Sequence, residues 1–139
     1  MKIGKNTKIW DKKGLWGDYI IGDNCKIGKF VEIGDKVTIG NNCKIEAFAF
    51  IPPGITIGNN VFVGPHVCFT NDKRPAVGDW SANMAKLTYV EDNVSIGANS
   101  VILPVTLGKG CLIGAGSVVT KHVPSGETWA GNPARKIKV

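Results

Sequence analysis

The chain has 139 residues, the length of one domain, and its 18 glycines and 43% hydrophobic residues are typical of a globular, turn-rich protein. It contains no apolar run of about 18 residues and enters a repeat at Met1, so we expect neither a transmembrane helix nor a signal peptide, and a cytoplasmic location. The formal charge of +6 comes from lysines that are scattered rather than clustered with aromatic residues. This pattern favours a solvated surface, or a polyanionic small ligand, over a nucleic-acid partner.

An aliphatic residue recurs at every sixth position in the first half of the chain. No helix has a period of six, and an ordinary strand alternates with a period of two. The pattern therefore predicts short strands in repeats that bury their apolar residues by stacking on one another. The series runs through Ile3, Ile9, Leu15, Ile21, Ile27, Ile33, Ile39, Ile45, Ile51, Ile57, Val63 and Phe69, and resumes at Val90, Ile96, Ile102, Leu107, Ile113 and Val119.

The sequence also repeats with a longer period of eighteen residues. The Ile-Gly-x-Asn sequence at 3–6 recurs at 21–24, 39–42 and 57–60, so three hexads make one turn. Gly and Asn tolerate positive φ and therefore mark the corners. We predict an all-β triangular prism of about six turns (3–20, 21–38, 39–56, 57–69, 90–106 and 107–124), each adding roughly 4.8 Å.

The repeat fails in three places. Residues 70–89 have no period and form a predicted protruding loop, and long irregular loops in compact proteins are commonly functional. Residues 102–106 form a hexad that is one residue short, and no repeat is predicted in the tail at 125–139. The only two arginines, Arg74 and Arg135, lie in the loop and the tail. Arginine binds phosphate or carboxylate bidentately, which favours a function at these interruptions over chance placement.

The four cysteines do not indicate a disulfide framework. Cys25, Cys43 and Cys111 occupy the second inward position of their hexads and are predicted to be small buried thiols. Cys25 and Cys43 are expected to stack closely, but a cytosolic location disfavours a bridge between them. Cys68 is expected to point outward.

The aliphatic–Gly–x–x–small–x hexads resemble those of the hexapeptide-repeat acyltransferases over nearly the whole chain. The most specific segments are 113–121 (IGAGSVVTK) and 130–135 (AGNPAR), which look like the acyl-CoA-binding end of that family. The resemblance implies a left-handed parallel β-helix, a single acyltransferase domain at 1–139, a homotrimer, and acetyl-CoA as the acyl donor.

One segment, 61–75 (VFVGPHVCFTNDKRP), resembles a branch of that family. Its members N-acetylate amino sugars carried by nucleotides, of the dTDP-3-amino-3,6-dideoxyhexose or UDP-3-aminoglucuronate type. The resemblance implies a nucleotide-linked amino sugar as the acceptor, in the biosynthesis of a surface polysaccharide.

The candidate catalytic residues are His66, Asn71 and Asp72. An unperturbed histidine titrates near pH 6.5, so His66 suits a general base, although it also fits a prism residue without a role. Asn71 and Asp72 suit binding of the amine or sugar hydroxyls, or simply the start of a turn. The second histidine, His122, is interpreted as structural.

The loop and the tail carry the candidate binding residues. Lys73 and Arg74 suit a diphosphate or a sugar carboxylate, whereas Trp80 stacks a nucleobase or, as we favour, pins the loop to a neighbouring subunit. The resemblance places pantetheine along the prism through backbone contacts and the phosphates on the basic tail, with Trp129 near the adenine or capping the last turn. These predicted cofactor-binding residues are Ala98, Ala115, Ser117, Trp129, Arg135, Lys136 and Lys138.

Three other functions were weighed. A γ-class carbonic anhydrase needs three zinc-binding histidines, and the sequence has only His66 and His122, so no metal is expected. A non-catalytic trimeric scaffold needs neither the loop nor the basic tail. O-acetylation of a sugar hydroxyl stays open. We expect no nucleic-acid or membrane partner.

Overall fold

A computed structural model describes residues 1–138 and shows an all-β prism with three faces. Each face is a sheet of very short strands, and all of them are parallel except the last strand of the second face. The first face contains Lys2–Ile3, Ile20–Ile21, Thr38–Ile39, Ile55–Ile57, Thr88–Val90 and Thr106–Leu107. The second face contains Lys8–Ile9, Lys26–Ile27, Lys44–Ile45, Phe62–Val63, Ser95–Ile96, Leu112–Ile113, Thr128–Gly131 and Ala134–Lys136. The third face contains Glu32–Ile33, Phe50–Ile51, Cys68–Phe69, Val101–Ile102 and Val118–Val119. The fold is a left-handed parallel β-helix, as predicted.

The core is the predicted aliphatic ladder. Ile21 pairs with Ile39, and Ile39 with Ile57, each one turn further along the chain, and these side chains are at most 1% exposed. Each two-residue strand holds one inward aliphatic residue and one outward neighbour, which is why a period of six produces a single apolar column per face. Cys25, Cys43 and Cys111 lie in this core as free thiols, as predicted.

Residues with positive φ form the corners. Asn6, Asn24, Asn42, Asn60, Asn93 and Gly110 lie at the first corner, between the first and second faces. Phe30, Phe48, His66, Asn99 and Gly116 lie at the second corner, between the second and third faces. Gly17, Lys36 and Gly54 lie at the third corner, between the third and first faces, where the long loop leaves the prism.

The prediction of six turns and a tail without repeats is wrong at the C-terminus. Val123 bridges Leu107, and Thr128–Gly131 stacks in parallel on Leu112–Ile113, so six turns are followed by a partial seventh. Ala134–Lys136 then returns antiparallel and ends the stack. The sequence pattern hides this turn because Trp129, not an aliphatic residue, follows Ile113 in the ladder. The last residue of the predicted tail, Val139, lies outside the described residues.

The predicted loop boundary of 70–89 is also wrong by two residues. Thr88 and Tyr89 belong to a three-residue strand whose residues pair with Ile55–Ile57, so the irregular segment is 70–87. Two single-turn 3-10 helices, Lys12–Gly14 and Ala82–Met84, are present. No helix among residues 1–138 has the length and apolar character needed to cross a membrane.

Candidate active site

His66 lies at the second corner and stacks on an aromatic column. Its imidazole ring lies 4.8 Å from the ring of Phe48, centroid to centroid, with 7° between the planes, and Phe48 stacks on Phe30 at 5.0 Å. The backbone N–H of His66 donates to the carbonyl of Ala47 at 3.1 Å. Among residues 1–138, no hydrogen bond engages the imidazole, so its nitrogens are available to a ligand.

Two open backbone donors follow His66 along the same corner. At the first corner, a side chain of the next turn accepts from the equivalent backbone N–H group. The N–H of Asp23 donates to Asn41 Oδ1, and the N–H of Asn41 donates to Asn59 Oδ1, both at 2.8 Å. The second corner has Ala98 and Ala115 at this position, and within the described chain neither N–H has an acceptor. Both groups are therefore free to bind a carbonyl of a ligand.

Ser117 serves the fold with its side chain. It is fully buried, and its hydroxyl donates to the carbonyl of Gly114 and accepts from the backbone N–H of Gly131 at 3.3 Å. The Ser117 carbonyl accepts from Val101 N–H at 2.8 Å. The side chain of Ser117 therefore anchors the tail beside Ala115. The predicted contact of Ser117 with a cofactor is left to its backbone N–H.

The tail covers the end of the prism. Trp129 pairs with Ile113 and packs against the core, so it caps the last turn, the second of the two roles considered for it. Its indole N–H donates to Glu127 Oε1 at 3.0 Å, and Lys136 Nζ lies 3.4 Å from Glu127 Oε2. The indole, and to a lesser extent Lys136, hold the pKa of Glu127 below its ordinary value.

Two basic residues of the tail remain exposed without a carboxylate partner in residues 1–138. Arg135 pairs with Ala130 in the antiparallel strand, and its guanidinium donates to the carbonyl of Ala134 at 3.0 Å. Lys138 follows it. The structure therefore places His66, the Ala98 and Ala115 donors, and Arg135 toward the second corner in that order. Lys138 follows Ile137, whose N–H donates to the carbonyl of Thr128, and so lies at the first-corner end of the second face.

The loop residues lie elsewhere. Asn71 Nδ2 donates to the carbonyl of Pro53 at 2.8 Å, and Asp72 Oδ1 accepts from the backbone N–H of Arg74 at 2.9 Å. Both side chains thus shape the start of the loop at the third corner. Lys73 and Trp80 are exposed on the same loop. Because the whole third face separates the third corner from the second, one chain does not bring Asn71 and Asp72 to His66.

His122 has the structural role predicted for it. Its Nδ1 accepts from the backbone N–H of Thr106 at 2.8 Å. In other turns the equivalent backbone N–H donates to a backbone carbonyl of the next turn, as the N–H of Ile20 does to the carbonyl of Val37. Thr106 ends the hexad that lacks one residue. At this shortened corner the imidazole of His122 replaces the backbone carbonyl as the hydrogen-bond acceptor.

Two features of the site were not predicted from the sequence. One is the aromatic column below His66, whose signal is the spacing of eighteen residues between Phe30, Phe48 and His66. The other is a groove of about 530 Å³ on the second face, next to the second corner. The groove is lined by Trp10, Lys26, Gly28, Lys29, Lys44, Ile45, Glu46 and Ala47.

Two family models match the repeats. The hexapeptide repeat of succinyl-transferase matches residues 19–51 and 88–121, and the bacterial transferase hexapeptide matches residues 36–71. The chain belongs to the hexapeptide-repeat transferases. The resemblance seen in the sequence is thereby confirmed.

Similar proteins include a 2,3,4,5-tetrahydropyridine-2,6-dicarboxylate N-acetyltransferase of Staphylococcus aureus, 51% identical over 55 residues, or 39% of this chain. The chain spans 23% of the length of that curated relative. A mutant of AntD, an N-acyltransferase from Bacillus cereus solved with dTDP and coenzyme A, has a TM-score of 0.82 and 26% identity. That likeness covers 99% of this chain and 82% of AntD.

A third similar structure is a mutant of the GDP-perosamine N-acetyltransferase of Caulobacter crescentus, solved with CoA and GDP-perosamine. Its TM-score is 0.81, over 96% of this chain and 57% of the other. At 19% identity this likeness shows the fold alone.

Proposed function

We propose that this protein transfers the acetyl group of acetyl-CoA to the amino group of a nucleotide-linked amino sugar. The observation that carries the proposal is the order of groups along the second corner: His66, then the open N–H groups of Ala98 and Ala115, then Arg135. AntD supports both substrates, because it is an N-acyltransferase found with coenzyme A and dTDP and resembles nearly the whole of this chain.

The donor lies on the C-terminal side of His66. Ala98 and Ala115 donate their N–H groups to the amide carbonyls of pantetheine, and Arg135 binds the phosphates. Lys138 adds positive charge from the first-corner end of the same face. Lys136 contributes charge beside them while paired with Glu127. Four strand spacings separate the turn of His66 from the strand of Arg135, roughly 19 Å, so an extended donor places its thioester near the imidazole.

The reaction forms a C–N bond and breaks the C–S bond of the thioester. The neutral amine attacks the carbonyl, His66 takes the proton that the nitrogen loses, and this proton passes to the departing thiolate of CoA. Backbone N–H groups at the tight corners are suited to stabilising the oxyanion.

The acceptor site is completed by a second copy of the chain. In the homotrimer that we propose, the third corner of one subunit meets the second corner of its neighbour and brings the loop residues to His66. Asn71 and Asp72 then position the amine, Lys73 and Arg74 face the anionic groups of the acceptor, and Trp80 pins the loop. After Glu32, the outward side chains of the intervening third face are apolar, which suits burial between subunits: Phe50, Cys68, Val101 and Val118.

We place the reaction in the cytoplasm, where acetyl-CoA and nucleotide sugars are made, as a step toward a surface polysaccharide. The proposed chemistry needs no metal ion. Acyl transfer by positioning and proton transfer alone is consistent with the residues along the second corner.

The test is release of CoA thiol from acetyl-CoA in the presence of nucleotide-linked sugars that carry either an amino group or a hydroxyl at the same carbon. We expect release with the amino sugars only, and a loss of about 100-fold in kcat for His66→Asn. Asn occupies the same corner position in the next turn, as Asn99, so the variant should fold. Absence of CoA binding would overturn the proposal, and release with hydroxyl sugars alone would reassign it to O-acetylation.

A further inference from the structure

The groove on the second face has the composition of a site for a planar anion. Trp10 stands at its N-terminal end and is 45% exposed, while Lys26, Lys29 and Lys44 supply positive charge. Gly28 also lines the groove.

Three of the lysines on this face stand in one column. Lys8 is in register with Lys26, and Lys26 with Lys44, so like charges lie directly opposite on neighbouring strands. Such pairs destabilise a sheet. Lys8 Nζ lies 4.3 Å over the ring of Trp10, and Lys44 Nζ lies 3.3 Å from Glu46 Oε1. Lys26, between them, has no carboxylate within ion-pair distance in residues 1–138.

An arrangement that costs stability and leaves its central charge uncompensated is typical of a functional site. The column is also an exception among the faces. On the first face, the outward positions of the strands in the same three turns are Lys2, Ile20 and Thr38, of which one is a lysine. The lysine column is therefore not a requirement of the repeat.

The groove and the donor contacts lie on opposite sides of His66. Along the second corner, the turn of Lys44 comes one strand spacing before that of His66, and the turn of Lys26 comes two before it. The turns of Ala98 and Ala115 follow by one and two spacings. A molecule in the groove therefore lies on the side of His66 opposite the donor. Phe48 covers the face of the imidazole on that side, so such a molecule would meet the ring at its edge.

We propose that this groove binds the nucleoside diphosphate of the acceptor, with the phosphates on Lys26, Lys29 and Lys44 and the base against Trp10. This inference rests on the proposed function. Lysine binds phosphate as a point charge, and exposed aromatic rings stack nucleobases. The sugar on the terminal phosphate then extends toward His66, since one pyranose ring bridges about one strand spacing, roughly 5 Å. The loop of the neighbouring copy is left to contact the sugar itself.

Coenzyme A also carries a nucleoside diphosphate, so the two sources must be distinguished. If the groove held the ADP part of coenzyme A, donor and acceptor would exchange sides of His66. The acceptor's nucleotide is favoured because Arg135, an exposed cation that suits the phosphates of coenzyme A, lies on the other side, beyond the open N–H groups of Ala98 and Ala115.

The experiment is calorimetric titration of the full chain with dTDP, UDP and GDP, and separately with CoA, at 0.15 M salt. For Lys26→Gln we expect about tenfold weaker binding of the preferred nucleoside diphosphate and unchanged binding of CoA. Lys2→Gln is the matched control, because Lys2 is also an outward lysine on a strand, but on the first face. It should change neither affinity by more than about twofold.

A second readout is the melting temperature. Lys26→Gln should raise Tm of the free protein, since it relieves the repulsion in the column, and should lose most of the increase in Tm that the nucleotide produces. A fold defect would lower Tm instead.

Several outcomes would overturn the proposal: no binding of any nucleoside diphosphate, equal weakening by Lys2→Gln, or weakening of CoA binding with nucleotide binding intact. These titrations need no turnover. Nucleotide binding that depends on Lys26 in a protein that binds no CoA would uphold the groove and reject the acetyl-transfer proposal.

Discussion

The imidazole of His66 lies flat against the phenyl ring of Phe48, with ring centroids 4.8 Å apart and 7° between the planes. Both residues, and Phe30 below them, adopt a φ of about +60°. Bulky side chains rarely occupy this region, and later turns place Asn99 and Gly116 at the same corner. Backbone strain that is retained in this way is typical of functional positions. We infer that Phe48 fixes the plane of the His66 ring.

Replacing Phe48 by Asn tests this positioning role. Asn tolerates positive φ, so the loss of an aromatic contact is partly offset and the free energy of unfolding should change by no more than about 1 kcal/mol. Since the His66 ring loses its support, kcat should fall about tenfold with little change in KM for acetyl-CoA. Steady-state kinetics in both substrates measure this.

Phe30→Asn is the matched control for that variant. It makes the same change at the same corner position but removes a ring that contacts Phe48 and not His66. It should leave kcat within about twofold of the unmodified protein. Equal losses in the two variants would show that the column acts only through stability.

Proline substitutions test the open donors. Pro65 occupies the corner position one turn before Ala98, and Pro53 occupies the equivalent position at the third corner, so the backbone accepts proline there. Ala98→Pro and Ala115→Pro each remove one N–H, and each should weaken CoA binding about three- to tenfold. Ala98→Ser keeps the N–H and should bind as before. Unchanged affinity in both proline variants would rule out these contacts.

Close stacking of the turns predicts a sharp difference between two glycines. A Cβ atom on Gly40 would lie 2.6 Å from the carbonyl oxygen of Gly58 and 2.5 Å from Asn59 Oδ1, whereas one on Gly78 in the loop would meet nothing within 4 Å. Gly40→Ala should therefore lower the free energy of unfolding by about 1–3 kcal/mol. Gly78→Ala should stay within about 0.5 kcal/mol in urea unfolding. Similar effects in the two variants would contradict the observed packing.

Stability should fall at alkaline pH because of a buried thiol. Burial, and to a lesser extent the carboxylate of Glu91, raises the pKa of Cys111 to about 11 from an ordinary value of 9.0. Between these values the unfolded chain loses the thiol proton and the folded chain keeps it, so the folded state loses about 2 kcal/mol as pH rises from 9 to 11. Urea unfolding of Cys111→Ala across this range should show a shallower decline. An identical slope would contradict the assignment.

Much of the fold could be predicted because it rests on local repetition. Each inward residue, such as Ile39, fixes its own register with Ile57 by burial, and each corner Asn reports a positive φ. The prediction failed at the tail, where backbone pairing continues but Trp129 replaces the aliphatic residue. It also failed at the end of the loop, where Thr88 enters a strand of three residues and most strands of the prism have two.

The site was predicted less completely, for two physical reasons. The partners of Asn71 and Asp72 depend on the shape of an aperiodic loop, which no spacing encodes. Other relationships were encoded but lie between turns. Outward residues that are eighteen positions apart stack on one another, just as inward residues do. The stacking of Phe48 on His66 and the lysine column through Lys26 both follow from this spacing, but the sequence prediction compared inward residues only.

The central claim is that acyl transfer takes place along the second corner, with the donor on the C-terminal side of His66. A crystal structure of the protein with coenzyme A bound tests this most directly. We predict pantetheine carbonyls on the N–H groups of Ala98 and Ala115, phosphates at Arg135, and the thiol beside His66. Coenzyme A bound in the groove at Lys26, or along the first corner, would contradict it.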